Sequence, residues 1–220
     1  MAEDGGGTCT AEQLEAGRKL FARECRFFSG ATRYESLPPV GLPEVAFAGR
    51  SNVGKSSLVN ALTGRRTLAR ISHTPGRTQQ LNFFDLGGRL MLVDLPGYGF
   101  ARASKGNIRQ WTTLIEDYLR GRPNLLRVCL LVDARHGLMA NDRRVTELLD
   151  KAAQSYQVVL TKADKATPGM LAERRQGLAA ELASHPAAHP VVLVSSARTG
   201  TGVAELRAGL AALATSDPIR

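Results

Sequence analysis

The sequence predicts a three-layer α/β fold, with helices on both faces of a mostly parallel sheet of six strands. From Phe27 onward, short apolar runs alternate with stretches of helical periodicity, which is the pattern of βαβ units. Gly87 and Gly88 separate two of these runs and indicate a hairpin, so one strand should run antiparallel to the others. A chain of 220 residues with 43% hydrophobic content is large enough to bury one core.

The first expected element is an amphipathic helix that precedes the sheet. Thr10 to Gln13 have the pattern of a capping box, and the helix should reach about residue 24 with Leu14, Leu20 and Phe21 as its apolar positions. We expect a leader with this helix at residues 1–26, one domain at 27–215 and a short tail at 216–220. Predicted strands are 44–48, 80–85, 90–94, 125–133, 157–161 and 191–195, and the remaining predicted helices are 56–62, 108–120, 142–155, 168–184 and 203–214.

The net charge of +9 is concentrated in the middle of the chain. Residues 47–122 carry twelve Lys or Arg and four Asp or Glu, a net charge of +8. A basic surface attracts polyanions, of which RNA is the most common in the cytosol, although the same charge can serve solubility alone. The sequence leaves both interpretations open.

The lengths of the apolar runs, the composition of the amino terminus and the cysteine usage favour a cytoplasmic protein. No apolar run approaches the roughly 20 residues that span a bilayer, and the amino terminus is acidic and Gly-rich. Cys9, Cys25 and Cys129 are odd in number and lack the spacing of metal ligands, so we expect reduced thiols and assign them no function. No membrane contact is expected.

The strongest motif is GRSNVGKS at residues 49–56, directly after the apolar run 45–48. It matches G-x-x-x-x-G-K-S, in which glycines let the backbone fold around phosphate and the following helix directs its positive end at the anion. Lys55 should reach the β and γ phosphates of a nucleotide, and Ser56 should bind Mg²⁺. The fold class is therefore refined to a P-loop NTPase.

A second phosphate-side motif runs from Asp94 to Gly97 and follows the predicted strand 90–94. A D-x-x-G loop in this place brings an acid toward Mg²⁺ through water and the Gly N–H toward the γ-phosphate. The same four residues alone would indicate only a turn. Their position at a strand end downstream of a P-loop favours the nucleotide site.

Guanine selectivity is predicted to come from TKAD at residues 161–164, which closes another strand. The Asp164 carboxylate can accept hydrogen bonds from the ring N1–H and the exocyclic amine of guanine, two donors that adenine does not present together. Lys162 should lie along the base, and the segment SSA at 195–197 should offer a backbone N–H to guanine O6. GTP and GDP are therefore the expected ligands.

Together these motifs resemble the EngB (YihA/YsxC-type) ribosome-biogenesis GTP-binding family, in the TrmE-Era-EngA-YihA-septin-like class of P-loop GTPases. The telling segments are GRSNVGKSSLVNAL, HTPGRTQQLNFF, DLPGYGFA, VDARHGL, TKAD and SSARTGTG, and the similarity extends from about residue 27 to residue 213. The resemblance implies that 27–215 is a GTP-binding (G) domain, that 76–79 is switch I, and that Thr78 binds Mg²⁺ when GTP is bound. It also implies that the GTP form engages the precursor of the large ribosomal subunit, or its RNA, and that the protein is needed for normal cell division and septation.

Three motif residues bear on affinity and rate. Thr161 stands where the wider class usually carries Asn, and a hydroxyl makes fewer hydrogen bonds than an amide, so nucleotide affinity should be modest. Tyr98 follows Gly97 where many relatives place a water-orienting Gln, so intrinsic hydrolysis should be slow. Asn52 either helps to hold K⁺ beside the phosphates, as in relatives with the same loop, or serves only the turn.

The sequence thus predicts a monomeric GTP/GDP switch with slow, Mg²⁺-dependent hydrolysis by water, in which Lys55, Thr78 and Gly97 are catalytic and Ser56 and Thr78 hold the metal. Two alternatives stay open: a kinase with the same P-loop, against which the guanine motifs argue, and an RNA- or ribosome-docking module whose nucleotide is structural. The predicted nucleotide contacts are Gly49, Arg50, Ser51, Asn52, Val53, Gly54, Lys55, Ser56, Gly76, Arg77, Thr78, Gln79, Gln80, Asp94, Leu95, Pro96, Gly97, Thr161, Lys162, Ala163, Asp164, Ser195, Ser196 and Ala197.

Overall fold

One mixed sheet of seven strands organises the computed structural model, which describes residues 9–65, 68, 80–98 and 105–214. The strands are β1 (Cys25–Ala31), β2 (Glu44–Gly49), β3 (Leu81–Leu86), β4 (Leu90–Asp94), β5 (Leu125–Asp133), β6 (Tyr156–Thr161) and β7 (Leu193–Val194). The helices are α1 (Ala11–Phe21), α2 (Lys55–Thr63), α3 (Lys105–Gly121), α4 (Ala140–Lys151), α5 (Pro168–Leu182) and α6 (Val203–Ala214). No helix of the described ranges is long and apolar enough to cross a membrane.

The order of strands confirms the predicted P-loop α/β fold. It is β1-β3-β4-β2-β5-β6-β7, and β3 runs antiparallel to both of its neighbours while the remaining pairs are parallel. The predicted hairpin joins β3 to β4, where Gly87 and Gly88 have φ angles of 60° and 64°. These left-handed conformations suit glycine because it has no Cβ.

The structure contains a seventh strand, β1, which was not among the six predicted strands. It pairs with β3 at the edge of the sheet, and only Cys25 and Ala31 at its two ends are buried. A bulge between Phe27 and Ser29 shifts its register, and the side chains of Phe27 and Phe28 stay largely exposed. An edge strand with a bulge lacks the alternation of buried and exposed residues by which strands are recognised in a sequence.

Three predicted boundaries were wrong by several residues. Helix α1 ends at Phe21, not near residue 24, and α4 ends at Lys151, not at 155, because Ala153 takes a left-handed φ of 50° that stops the helix. Strand β7 covers only Leu193–Val194 of the predicted 191–195. The N–H of Val191 donates to the Nδ1 atom of His189 and so does not enter the sheet.

The two faces of the sheet carry separate cores. Alternate residues of β2 face opposite sides: Ala46 and Ala48 belong to the core under α3, α4 and α5, whereas Val45 and Phe47 belong to the core under α1, α2 and α6. The capping box of α1 is formed, since Thr10 Oγ1 accepts from the N–H of Gln13. The helix packs closely on α6, because a Cβ on Gly17 would lie 2.6 Å from the backbone nitrogen of Ala208.

A buried charge network fixes the amino-terminal end of β2. Arg122 donates to both carboxylate oxygens of Glu44, at 2.5 Å from Nη2 to Oε1 and 3.0 Å from Nε to Oε2, and Glu44 is only 1% exposed. The Tyr118 hydroxyl donates to Glu44 at 2.8 Å, and Arg122 also donates to the carbonyl of Pro38. Burial, followed by the neighbouring Glu44 charge, raises the pKa of Tyr118 well above its ordinary value.

Candidate nucleotide-binding site

The predicted site segments meet at the carboxyl edge of the sheet. Strands β2, β4, β5, β6 and β7 are parallel, so their carboxyl ends lie on the same edge. The segments 49–56, 94–97, 161–164 and 195–197 follow the ends of β2, β4, β6 and β7. Loops at this edge are the usual ligand site of open α/β sheets.

The glycine-rich segment 49–56 forms a tight loop between β2 and α2. Asn52 has φ 62° and Gly54 has φ 105°, two left-handed conformations that turn the chain into the helix. A Cβ on Gly49 would lie 2.8 Å from Val53 Cγ1 and 3.0 Å from the Leu131 carbonyl oxygen, so only glycine fits there. Because α2 begins at Lys55, the N–H groups of its first turn and its positive dipole end face this loop, as an anion site requires.

Lys55 and Asp94 form a buried ion pair between Nζ and Oδ1. Their side chains are 8% and 3% exposed. The pairing of β2 with β4 places Asp94 beside Phe47, just before the glycine-rich loop begins. This pairing explains why Lys55 and Asp94, 39 positions apart in the sequence, are in contact. The lysine of the first motif and the acid of the second therefore share one point of the site.

The segment after Asp94 is bonded to the glycine-rich loop by backbone groups. Leu95 N donates to Phe47 O at 3.0 Å, and Ser51 N donates to Tyr98 O at 3.0 Å. A Cβ on Gly97 would lie 3.3 Å from the nitrogen and Cα of Ser51, so glycine allows the two loops to approach. Leu95 itself is a core residue, and Pro96 is half-buried.

The Tyr98 hydroxyl is bonded to helix α4. It donates to Asp142 Oδ1 at 2.7 Å, and the second oxygen of Asp142 accepts the N–H of Met139 at 2.9 Å, at the start of the helix. Burial, and then the charge of Asp142, raise the pKa of Tyr98 above its ordinary value. Asp142 was missed by the sequence reasoning, because nothing in its local pattern connects it with a tyrosine 44 residues away.

Thr161 ties the base motif to the glycine-rich loop. Its Oγ1 lies 2.7 Å from the carbonyl oxygen of Val53 and 3.2 Å from that of Val132, and the residue is 3% exposed. The threonine hydroxyl at this position thus links three segments of the edge.

Lys162 makes a second link between the same two segments. It has a left-handed φ of 58°, and its Nζ donates to Asn52 O at 2.6 Å and to Asp133 Oδ2 at 2.9 Å. Burial favours the neutral form of Asp133, but hydrogen bonds from Arg135 and Lys162 outweigh it and hold the pKa of Asp133 well below its ordinary value. Asp133 ends β5 and, like Arg135, was not predicted as a site residue.

The Asp164 carboxylate is held by two side chains. Ser196 Oγ donates to Oδ1 at 2.5 Å, and Arg198 Nε donates to Oδ2 at 2.7 Å. These two bonds lower the pKa of Asp164 and keep it ionised. Arg198 was also missed, since its role depends on the return of the chain after β7.

The backbone N–H groups of 195–197 are unequal. Ser195 N donates to Leu160 O at 2.7 Å, and Ser196 N donates to Thr201 O at 2.9 Å. Of the three predicted donors, only the N–H of Ala197 has no such bond within the described ranges. Ala163 N donates to Ser195 O, which joins the two base-side loops.

Some of the remaining predicted site residues lie outside the described ranges, and the others lie in or beside the loops at the sheet edge. Gly76, Arg77, Thr78 and Gln79 lie outside the described residues. Gln80 is half-buried and donates from Nε2 to Asn82 Oδ1 at 2.9 Å, while Arg50 forms an isolated parallel bridge with Tyr98. Ser56 is the second residue of α2.

The comparisons with known proteins agree with this geometry. Residues 44–162 match the family model described as 50S ribosome-binding GTPase. The chain is 59% identical over 210 residues to a protein named "Probable GTP-binding protein EngB" from Rhodospirillum rubrum, covering 93% of this chain and 91% of the relative. It is 61% identical over 203 residues to the protein of the same name from Granulibacter bethesdensis, covering 92% and 91%.

Solved structures show the same fold. A crystal structure of a probable GTP-binding protein engB superposes with a TM-score of 0.61 at 23% identity, covering 79% of this chain and all of that one. Era from Aquifex aeolicus, bound to GDP and aluminium fluoride, superposes with a TM-score of 0.61 at 20% identity, covering 80% of this chain and 57% of Era. With its loops at the carboxyl edge and its sequence matched along nearly the whole length, the chain belongs to the EngB family of GTP-binding proteins, which are P-loop GTPases.

Proposed function

We propose that this protein hydrolyses GTP slowly, with Mg²⁺, and acts as a GTP/GDP switch in assembly of the large ribosomal subunit. The observation that carries the proposal is the convergence at one sheet edge of Lys55, Asp94 and the held carboxylate of Asp164. The first two are suited to the phosphates and their metal, and the third to guanine.

The phosphate side would act by charge and position. The N–H groups where the loop meets the first turn of α2 and the ammonium of Lys55 would stabilise the negative charge of the transferring phosphoryl group, and the N–H of Gly97 would donate to the γ-phosphate. The N–H groups of Ser51 and Val53 are bonded to the carbonyls of Tyr98 and Arg50 and have no part in this. Water is the nucleophile. The hydroxyl of Tyr98 is bonded to Asp142 at 2.7 Å, so no side chain directly after Gly97 is available to orient that water, and intrinsic turnover should be slow.

The donors present fit Mg²⁺. Ser56 lies in the first turn of α2 beside the buried pair of Lys55 and Asp94, and hard cations of this size prefer oxygen ligands together with phosphate and water. Ser56 would hold the ion directly, Asp94 would face it through water, and Thr78 of switch I would complete the set in the GTP form. The ion supplies positive charge to the β- and γ-phosphates. A further cation, K⁺ held by Asn52, is part of the proposal.

The base side would select guanine. Asp164 would accept from N1–H and the exocyclic amine, and the N–H of Ala197 would donate to O6, because the N–H groups of Ser195 and Ser196 are engaged. The stem of Lys162, whose Cε is 3.7 Å from the Cβ position of Gly54, would form a wall beside the base.

Ribosomal RNA is the proposed partner. The matched family model is described as ribosome-binding, a solved structure of Era contains a fragment of 16S ribosomal RNA, and this chain has a net charge of +9. By family membership, the GTP form would engage the precursor of the large subunit as a cytoplasmic monomer and support cell division and septation.

The test is phosphate release from GTP in Mg²⁺, measured with and without purified large ribosomal subunits and with EDTA as the control. We expect slow turnover that requires Mg²⁺ and GTP-dependent subunit binding. Subunit binding without turnover in any condition would instead favour a docking module with a structural nucleotide. Turnover without subunit binding would remove the ribosomal role.

A further inference from the structure

A basic cleft lies outside the nucleotide site, between the end of α1, the end of α2 and α6. Its volume is about 480 Å³, and its lining includes Arg18, Phe21, Arg23, Gly64, Arg65 and Arg207. We call it the arginine cleft. Helix α2 starts at Lys55 and ends at Thr63, so at 1.5 Å per residue its ends are separated by about 13 Å. The cleft is therefore at the opposite end of α2 from the phosphate loop.

The deepest guanidinium in the cleft is held in place. Arg207 is half-buried, and it donates from Nε to Leu62 O and from Nη2 to Ala61 O, both at 2.9 Å. Its guanidinium carbon lies 5.9 Å from the centre of the buried Phe21 ring. These contacts order the guanidinium before any ligand arrives, which reduces the entropy lost on binding.

The backbone around Arg207 is also ordered. Helix α2 ends with Gly64 in a left-handed conformation, φ 65°, and the N–H groups of Gly64 and Arg65 both donate to the carbonyl of Asn60. Gly17 lets α1 pack closely on α6, because a Cβ there would meet the backbone of Arg207 and Ala208. The walls are thus fixed by secondary structure on all three sides.

The positive charge of the cleft exceeds the negative charge near it. None of the described residues in its lining is acidic. Arg18 is paired with Glu15 at 2.6 Å, whereas Arg23, Arg65 and Arg207 have no ion-pair partner among the residues that the structure describes. The nearby carboxylate of Glu24 is paired with Arg26 at 2.6 Å. The Arg26 hydrogen bond and, to a smaller extent, the charge of Arg65 lower the pKa of Glu24.

Arg207 carries a charge that burial makes costly. Burial lowers the pKa of its guanidinium, and its bonds go to carbonyls and not to a carboxylate. The bonded carbonyls of α2 satisfy two donors but supply only the partial negative charge of a helix carboxyl end. A ligand with full negative charge would compensate Arg207 better.

We propose that the arginine cleft binds phosphate groups of an RNA backbone. Guanidinium groups match phosphate in geometry and remain charged at all relevant pH values. The partial negative charge at the carboxyl end of α2 disfavours one small desolvated anion, and none of the described lining residues begins a helix. A polymer with successive phosphates can satisfy several exposed arginines at once and gains affinity by counterion release. The surface is distinct from the nucleotide site, and it assigns a docking face to the RNA partner of the proposed function.

The test compares two double variants that remove the same charge. Arg23→Gln with Arg65→Gln changes the cleft, and Arg120→Gln with Arg144→Gln changes exposed arginines of α3 and α4 that lack ion pairs in the described chain. Binding of a fluorescein-labelled RNA duplex of mixed sequence to GDP-saturated protein is followed by anisotropy over a range of salt concentrations. Thermal unfolding and GDP affinity should match wild type in both variants, because neither pair supports the core or the site.

We expect the cleft variant to lose about tenfold in RNA affinity at low salt, with a salt dependence shallower by roughly 1.8 in log–log slope for the loss of two phosphate contacts on a duplex. The control should lose clearly less. Equal losses in both variants, or no loss in the cleft variant, would overturn the proposal. Tripolyphosphate that binds wild type as tightly as the duplex, and that the cleft variant fails to bind, would assign the cleft to a small polyanion and also overturn it. Absence of GTP turnover in wild type would contradict the proposed function and leave the RNA result independent.

Discussion

At the scale of single residues, Asp164 is the most direct test of guanine recognition. Its two oxygens are held by Ser196 and Arg198 at 2.5 and 2.7 Å, so the carboxylate is already oriented and ionised. Replacement by Ala should weaken GDP binding by about 30-fold or more, because it strands two donors of guanine. Fluorescent GDP titration measures this loss. Asp164→Asn should shift preference toward xanthine nucleotides, and unchanged GDP affinity of the alanine variant would contradict the assignment.

Asn52 provides a second residue-scale prediction, about K⁺. The backbone carbonyl of Asn52 accepts a hydrogen bond from Lys162, and the residue is exposed to solvent. The hydroxyl of Tyr98 is bonded to Asp142. If K⁺ supplies the missing positive charge, replacing Na⁺ by K⁺ at constant ionic strength should raise the GTPase rate at least about tenfold, or about 1.4 kcal/mol of barrier.

The variants make this prediction specific. Asn52→Ala should abolish the difference between the two salts, whereas Tyr98→Gln should retain it, since the Tyr98 hydroxyl is bonded to Asp142 and is not expected to bind the ion. Equal wild-type rates in the two salts would contradict the hypothesis that K⁺ accelerates hydrolysis. Activation would then have to come from a group on the ribosome.

The sequence reveals motif residues better than their partners. Lys55, Asp94 and Asp164 stand in short patterns with fixed chemistry, and the structure brings all three to one edge. Asp133, Asp142 and Arg198 act through contacts with residues 29, 44 and 34 positions away, and no local pattern encodes such pairs. Backbone donors are equally hidden, because the sequence does not tell which N–H groups are already bonded.

At the scale of elements, the contact of α1 with α6 depends on one glycine. Glycine inside a helix normally costs about 0.5–1 kcal/mol relative to alanine. Gly17→Ala should nevertheless destabilise the protein by about 1–3 kcal/mol, because its Cβ would lie 2.6 Å from the backbone of Ala208. Gly177→Ala in α5 is the matched control, since no atom lies within 4 Å of its Cβ position, and it should stabilise by about 0.5–1 kcal/mol.

Urea unfolding of both glycine variants measures the difference. The opposite signs are the decisive result: stabilisation by both substitutions would mean that α1 is not packed closely on α6. A stable Gly177→Ala variant also shows that alanine itself is tolerated in this fold.

Elements were predictable where burial is two-sided. Strands β4 and β5 match their predicted bounds because each consists mainly of buried apolar residues and ends at an aspartate, although Arg127 interrupts the apolar run of β5. Strand β1 was missed because one edge strand with exposed Phe27 and Phe28 has no such signature. Helix ends were shifted where the stop depends on a backbone conformation, as at Ala153, and not on a residue type.

At the scale of the whole molecule, the Glu44 network joins β2, α3 and the loop around Pro38 at the edge opposite the site. Glu44→Ala should cost about 3–5 kcal/mol of unfolding free energy, because it leaves the charge of Arg122 buried without its partner. Glu15→Ala, which breaks the solvent-exposed pair with Arg18, should change stability far less. Chemical denaturation measures the unfolding free energy of both variants. Similar losses would contradict the claim that the buried ion pair contributes more to stability than the exposed one.

The bonds of Thr161 and Lys162 to the carbonyls of Val53 and Asn52 have a kinetic consequence. Moving the loop 161–164 away from the loop 49–56 would take one acceptor from the buried Thr161 hydroxyl and one from the Lys162 ammonium, which costs free energy. Both loops should therefore open together, and a bound nucleotide should dissociate in one exponential phase. The amide protons of the two loops should exchange with deuterium with a common opening free energy, as members of one cooperative unit do.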